Sequence, residues 1–314
     1  MWPLACGAEG RQGRMTRREN DLERALIFGG LPMKYLTEWE ITADIDLVAG
    51  KLRVELVVVP HEELMGRYAA LPEDRQREAA ALAERLIAGA DQSDRPRPDD
   101  QEVLKAVRLY VAVSTLVEDR GAAAAAVVCW PFIQDEALPV PCLALTLLQD
   151  RGVPAACQAD IDAFLTMILF RRAGGRVSFM GGGFEADGKL EISHCVLSRR
   201  MAGPGDPPQP YYLGDYHGRK SSPTIRTSIP AGRTVTVARL TRGLQRLILT
   251  RGTVVDSLDR PGRCRNTLVI DAPDAARLLS LVKGHQNHLV VACGDHVESM
   301  TELAERAGIE PALV

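Results

Sequence analysis

Gly152-Val153-Pro154-Ala155-Ala156-Cys157-Gln158-Ala159-Asp160-Ile161-Asp162 is the stretch on which the reading of the fold turns. The run 153–157 is small, apolar, too short for a helix, and broken off at the polar Gln158, so it predicts a buried strand. Apolar residues then recur at helical spacing over 160–172 until Gly174-Gly175 stops them, which predicts a helix with Asp160 at its start. A strand passing directly into a helix is one βα unit.

The same alternation extends toward the N-terminus. An apolar strand over 123–130 runs into Pro131, and a helix over 141–149 ends at Arg151-Gly152. Before them come strands at Leu26-Ile27-Phe28-Gly29-Gly30 and 54–59, helices over 71–90 and 99–118, the latter stopped by Gly121, and a polar loop over 93–98. Repeated βα units predict a Rossmann-like, doubly wound parallel sheet, in which ligands gather at the carboxyl ends of the strands. Trp130 and Gln158 would lie at that edge.

After residue 175 the pattern changes to short strands over 177–180, 190–195, 235–240 and 247–250, interrupted by a Gly- and Pro-rich loop over 202–210. A helix over 273–283, a strand over 289–293 and a helix over 297–307 close the chain. The second half therefore reads as β-rich, an antiparallel barrel or sandwich. The expected organisation is a disordered extension over 1–24, with Met15 as the natural start, an α/β domain over 25–175 and a β-rich domain over 176–314.

Of the 314 residues, 46% are apolar and 25% charged, which is ordinary for a globular chain of about two domains. A net charge of −3 gives no basic field for nucleic acid or an anionic membrane, and Arg199-Arg200 reads as solvated surface. No apolar run reaches the roughly 18 residues of a spanning helix, and residues 1–14 lack the core of a signal peptide. The seven cysteines, at 6, 129, 142, 157, 195, 264 and 293, form no CxxC pair. They read as reduced thiols of a cytoplasmic protein, not as a disulfide framework or a zinc site.

Several short motifs fall in a telling order: Cys129-Trp130-Pro131, Pro141-Cys142, Gly152-Val153-Pro154 with Cys157 to Asp162, Ser193-His194-Cys195, the segment near His217, the run 232–240, Asn287-His288 and Gly294-Asp295. Together they resemble the L-fucose and L-arabinose isomerase family. The resemblance implies an aldose–ketose isomerase in which two acidic residues and a late histidine hold manganese or a similar divalent ion, with an additional histidine in the arabinose branch. A metal of this kind clamps adjacent sugar oxygens while a carboxylate moves the proton. By position, Gln158 falls on the first acid and Gly181, or Gly182 with the register shifted by one, on the second. His194 falls on the intermediate histidine and His288 on the late one.

An amide is no carboxylate base and is a poor ligand for a hard cation. The expectation is therefore an enzyme acting on a sugar- or polyol-like molecule by proton transfer, in a pocket lacking the family's two acids; the alternative is a non-catalytic ligand-binding or regulatory homologue. Catalytic candidates are His288, Asp160 and Gln158, and substrate-binding candidates are Trp130, Gly181, Gly182 and His217. His194 and His288 are the candidates for holding manganese or another divalent ion, which the lost acids disfavour; Asp160, Asp162 or Glu185 would have to supply a carboxylate.

Plainer roles compete with each of these. Asp160 can be a helix N-cap, Gln158 can satisfy backbone groups, His194 can be a core histidine, and Gly181-Gly182-Gly183 can be a flexible strand exit. His217, His285 and His296 read as surface or supporting residues, and His61 as a loop residue. The resemblance also implies a trimer or hexamer, and a further N-terminal domain; either another polypeptide supplies it or its absence leaves the pocket more open.

Overall fold

The computed structural model describes residues 22–29, 45–92, 96–201, 207–259, 264–283 and 288–314. Residues 1–21 of the expected extension over 1–24, Gly30, Asn287, His285, and parts of the loops at 93–98 and 202–210 lie outside the described residues, whereas Glu23 and Arg24 belong to a strand and not to an extension.

The first half contains β1 (Glu23–Phe28), α1 (Ile45–Leu52), β2 (Val54–Val59), α2 (His61–Ala69), α3 (Glu73–Gly89), α4 (Asp100–Asp119), β3 (Ala124–Val127), α5 (Trp130–Gln134), α6 (Cys142–Asp150), β4 (Ala155–Cys157) and α7 (Ile161–Arg172). The second contains β5 (Arg176–Ala186), β6 (Lys189–His194), β7 (Tyr211–Tyr216), β8 (Arg219–Thr227), β9 (Thr234–Leu240), β10 (Arg246–Asp259), β11 (Asn266–Asp271), α8 (Ala275–Val282), β12 (His288–Cys293), α9 (Val297–Arg306) and β13 (Glu310–Leu313).

Strands β2-β1-β3-β4 form an all-parallel sheet, as the βα alternation requires. Its switch point lies between β1 and β3, where the chain reverses its direction of progress across the sheet. At that point a Cβ on Gly29 would stand 2.7 Å from Cβ of Val128, so only glycine lets the two strand ends approach so closely. The alanines of β3 have weak strand propensity, yet every one is buried; a sheet covered on both faces selects small, tightly packed residues over intrinsic preference.

Strands β11-β6-β5-β12-β9-β10 run antiparallel to their neighbours, and β10 pairs back onto β11, closing a six-stranded barrel to which β13 adds in parallel. The barrel interior is filled by Phe179, Leu190, Ile192, Val235, Val237, Ile248, Leu268, Ile270, Leu289 and Val291. Strand β10 runs well past residue 250, where Arg251-Gly252 had suggested a turn. Gly252 instead marks a close crossing, since a Cβ there would meet Ile270 Cγ2 at 2.6 Å and Asp271 O at 2.9 Å. Likewise Gly181, Gly182 and Gly183 are no strand exit: they lie inside β5, paired to β12 or β6.

Helix α7 joins the two halves. It is buried from Ile161 through Phe170 because the parallel sheet covers one side and barrel strands β5, β9 and β12 the other. Its N-terminus thus stands where the carboxyl end of β4 meets the barrel.

Candidate functional site

Asp160 is the N-cap of α7, its Oδ1 accepting the Ala163 N–H at 3.1 Å. That plain role does not exhaust it. The fully buried guanidinium of Arg239 donates to both carboxylate oxygens, Nη1 to Oδ2 at 3.0 Å and Nη2 to Oδ1 at 3.2 Å. His288 Nδ1 lies 3.0 Å from the same Oδ2, and Arg239 Nη1 also donates to the His288 carbonyl at 2.6 Å. Asp162 stands 3.8 Å from the guanidinium on its other side. The result is a linked chain Arg239–Asp160–His288, built from β9, the start of α7 and the first residue of β12.

Charge decides the protonation states. Burial pushes the Asp160 carboxyl up, but Arg239 and His288 outweigh it and hold the group well below the ordinary carboxylate value. An ionised Asp160 accepts from Nδ1 of His288, which turns Nε2 away from the carboxylate. The imidazole is 11% exposed.

His194 stands edge-on to His288, ring centroids 5.5 Å apart. Its Nδ1 accepts the Val196 N–H at 3.3 Å. Burial, with His288 and His217 nearby, pushes its imidazole down to about 3, so it is neutral. With Nδ1 accepting, its proton sits on Nε2, the tautomer that cannot ligate a metal through that atom.

The remaining candidates are dispersed around this chain. Gln158 is exposed and held with φ +59°, followed by Ala159 at φ +47°; two successive non-glycine residues in the left-handed region cost of order 1–3 kcal/mol each. Its N–H points to Cys129 Sγ at 3.3 Å, and Cys129 Sγ touches Cys157 Sγ at 2.8 Å. Trp130 opens α5 and is 47% exposed. Gly182 lies across β5 from His288 and Ser193, whereas at Gly181 a Cβ would collide with Ser193 O at 2.7 Å. His217 occupies the β7–β8 turn, 3.4 Å from Cys264 Sγ. Glu185 is exposed and accepts the Gly188 N–H in the β5–β6 turn, away from the histidines. His296 sits at the start of α9 against Cys293 O, and His61, far from being a loop residue, opens α2 edge-on to Phe132.

These donors do not suit a hard divalent ion such as manganese. Both oxygens of Asp160 are spent on Arg239, His288 and the helix cap, and Asp162 is committed beside Arg239. Among the described residues no carboxylate is left beside the histidine pair to complete an oxygen-rich shell.

Sequence reading passed over Arg239. Its signal is a lone charge in the otherwise apolar strand Val235-Thr236-Val237-Ala238-Arg239-Leu240, where a buried cation must find an anion.

Two curated relatives are similar to this chain over most of its length. A sulfoquinovose isomerase of Clostridium sp. (strain MSTE9) is 27% identical over 268 residues, covering 82% of this chain and 58% of the relative. A sulfoquinovose isomerase of Alkalicoccus urumqiensis is 26% identical over 256 residues, covering 77% of this chain and 54% of the relative. The chain is similar to sugar isomerases. It spans just over half the length of these relatives, and no family model matches it. Among the described residues no helix is long and apolar enough to cross a membrane.

Proposed function

We propose that this chain is a divergent sugar isomerase of the L-fucose/L-arabinose type, in which His288 moves the proton and the metal-holding acids have been replaced. The observation that carries this reading is the buried Arg239–Asp160–His288 chain, which orients an imidazole and turns its Nε2 away from the carboxylate at the strand-end edge of the sheet. Burying two charges is costly, and here the arrangement leaves one ring nitrogen outside the ion pair.

In this scheme Nε2 takes the proton from C2 of an open-chain aldose while the carbonyl oxygen on C1 takes a proton from water, giving a neutral enediol. Return of the proton from Nε2 to C1, with the hydroxyl proton at O2 passing back to the hydroxide left in the first step, gives the ketose and restores the base. Asp160 and Arg239 touch no substrate in this scheme; they are positioning residues that hold the imidazole's tautomer and charge. Trp130, Gln158 and Gly182 border the sugar.

Sulfoquinovose is the first substrate to test because both relatives are named for it, followed by fucose, arabinose and glucose. Ketose formation in heavy water, with deuterium entering at the transferred position, supports the reading, and His288→Asn should abolish it. Asp160→Asn should lower kcat more than it raises KM and shift the acid limb of the pH profile. No ketose from any of these sugars, with or without manganese, removes the enzymatic reading. Gln158 and Gly181 at the acid positions favour one other reading, a non-catalytic sugar-binding homologue, which predicts saturable sugar binding without turnover.

A further inference from the structure

Two cysteines and a histidine from three segments converge beside His194 without taking part in the chain described above. Cys195 follows β6, Cys264 precedes β11 and His217 occupies the β7–β8 turn. One ligand atom from each of Cys195, His217 and Cys264 lies within 4.8 Å of the others. We propose that Cys195, Cys264 and His217 form a site for a thiophilic, zinc-class ion that clamps the β7–β8 hairpin onto the barrel.

The donor chemistry is that of a tetrahedral sulfur–nitrogen site, the opposite of the oxygen-rich shell that manganese requires. The Cys264–His217 edge fits. Cys264 Sγ and His217 Nε2 are 3.4 Å apart, where a tetrahedral zinc with bonds of about 2.3 Å to sulfur and 2.0–2.1 Å to nitrogen would place them about 3.5 Å apart.

The supporting bonds hold each donor's backbone. Ser193 Oγ donates to the Cys264 carbonyl at 3.3 Å, and Asn266 Nδ2 donates to the Cys195 carbonyl at 3.4 Å. Asn266 also ties the hairpin in, accepting the Thr227 N–H at 3.1 Å and donating to Ile225 O at 2.9 Å. His217 and Gly218 have φ of +50° and +86°, the paired left-handed residues of a tight hairpin turn, an unfavourable conformation for histidine that turns its ring toward the thiols. Asp215 locks that turn by accepting the Gly218 N–H at 2.8 Å and Arg265 Nη2 at 3.2 Å. Such orienting bonds around ligands are the usual companions of a metal site.

Of these three protein ligands, Cys195 stands one residue away from His194, whose ring meets that of His288. The test uses the full chain, reduced and stripped with chelator, titrated with cobalt and then zinc. One equivalent of cobalt should bind with a near-ultraviolet thiolate charge-transfer band and tetrahedral visible bands, all displaced by zinc. Cys264→Ser and His217→Ala should weaken cobalt binding by at least about tenfold. His288→Asn and Cys293→Ser should leave the spectrum intact, which separates this site from the isomerase pocket. Alkylation of the unaltered protein gives a second measurement that needs no variant: zinc should slow labelling of Cys264. Cobalt bound without a thiolate band, a band unchanged in both Cys264→Ser and His217→Ala, or equal Cys264 labelling with and without zinc would overturn the proposal.

Discussion

Replacing Arg239 with methionine keeps most of the side-chain volume and removes only the charge and its donors. The guanidinium and the Asp162 side chain are wholly buried and Asp160 is 3% exposed, so water cannot replace what is lost. Removing one partner of a buried pair strands the other charge and costs about 3–5 kcal/mol, a large share of a total stability of roughly 5–15 kcal/mol. At about 2 °C per kcal/mol for a chain of this length, Tm should fall by about 6–10 °C. Urea denaturation followed by tryptophan fluorescence reads the same loss as a lower midpoint with unchanged slope.

Two further measurements make the reasoning hard to escape. Asp160→Asn keeps the helix cap but removes the stranded anion, so in the Arg239→Met background it should recover part of the lost stability. The Asp160 carboxyl is held below its unfolded value of about 4, so the stability it contributes is present above that pH and is lost as pH falls through the depressed native value. The gap between the unaltered protein and Arg239→Met should therefore be widest above about pH 4 and narrow on further acidification. A Tm change below about 2 °C, or a double variant that simply adds both losses, would show that the pair is not the buried, coupled unit described here.

His194 should give a pH signature of the same sign at higher pH. Its native imidazole is pushed down to about 3, so between the unfolded value of about 6.5 and that pH only the unfolded chain binds the proton, and stability should fall on acidification by up to about 1.4 kcal/mol per pH unit. Comparing denaturation midpoints at pH 7 and 5 checks this, and His194→Gln should flatten the slope. Gly181→Ala should cost about 1–3 kcal/mol because the new Cβ meets Ser193 O at 2.7 Å, whereas Gly66→Ala, with open space in α2, should be neutral or stabilising. Asn266→Ala should cost about 1–3 kcal/mol by stranding buried partners and should raise hydrogen exchange in β7 and β8, which it ties to the barrel.

The first half of the fold was legible because its strands are short apolar runs stopped by glycine or proline, and its helices carry their own start signals; Asp99 and Asp160 both cap the helices they precede. The barrel was harder to bound. Strand β10 is buried without a break over 247–250, alternates exposed and buried over 251–254, and is then mostly polar along its pairing with β11, so its second half has no hydrophobic signature. The hairpin β7–β8 was hidden for a related reason. Its polar residues, such as Ser222 and Arg226, are buried because they bond to other segments, Ser222 Oγ accepting the Val140 N–H across the domain boundary.

The site divides along the same line. Residues that act within their own segment, such as Asp160 as a cap, can be read locally, but Arg239 gains its meaning only when β9 is laid against α7. The thiols are a sharper instance: Cys195, Cys264 and His217 have no motif spacing because they come from three separate segments. Commitments made in the fold also bear on what Gln158 can be exchanged for. A carboxylate placed at 158 would find His288 and His194 already committed to Asp160 and Val196. Gln158→Glu should therefore create no manganese-dependent isomerase. Full manganese-dependent turnover in that single variant would mean that His194 and His288 can leave their present partners, and that the Arg239–Asp160–His288 chain is not the fixed frame of the site.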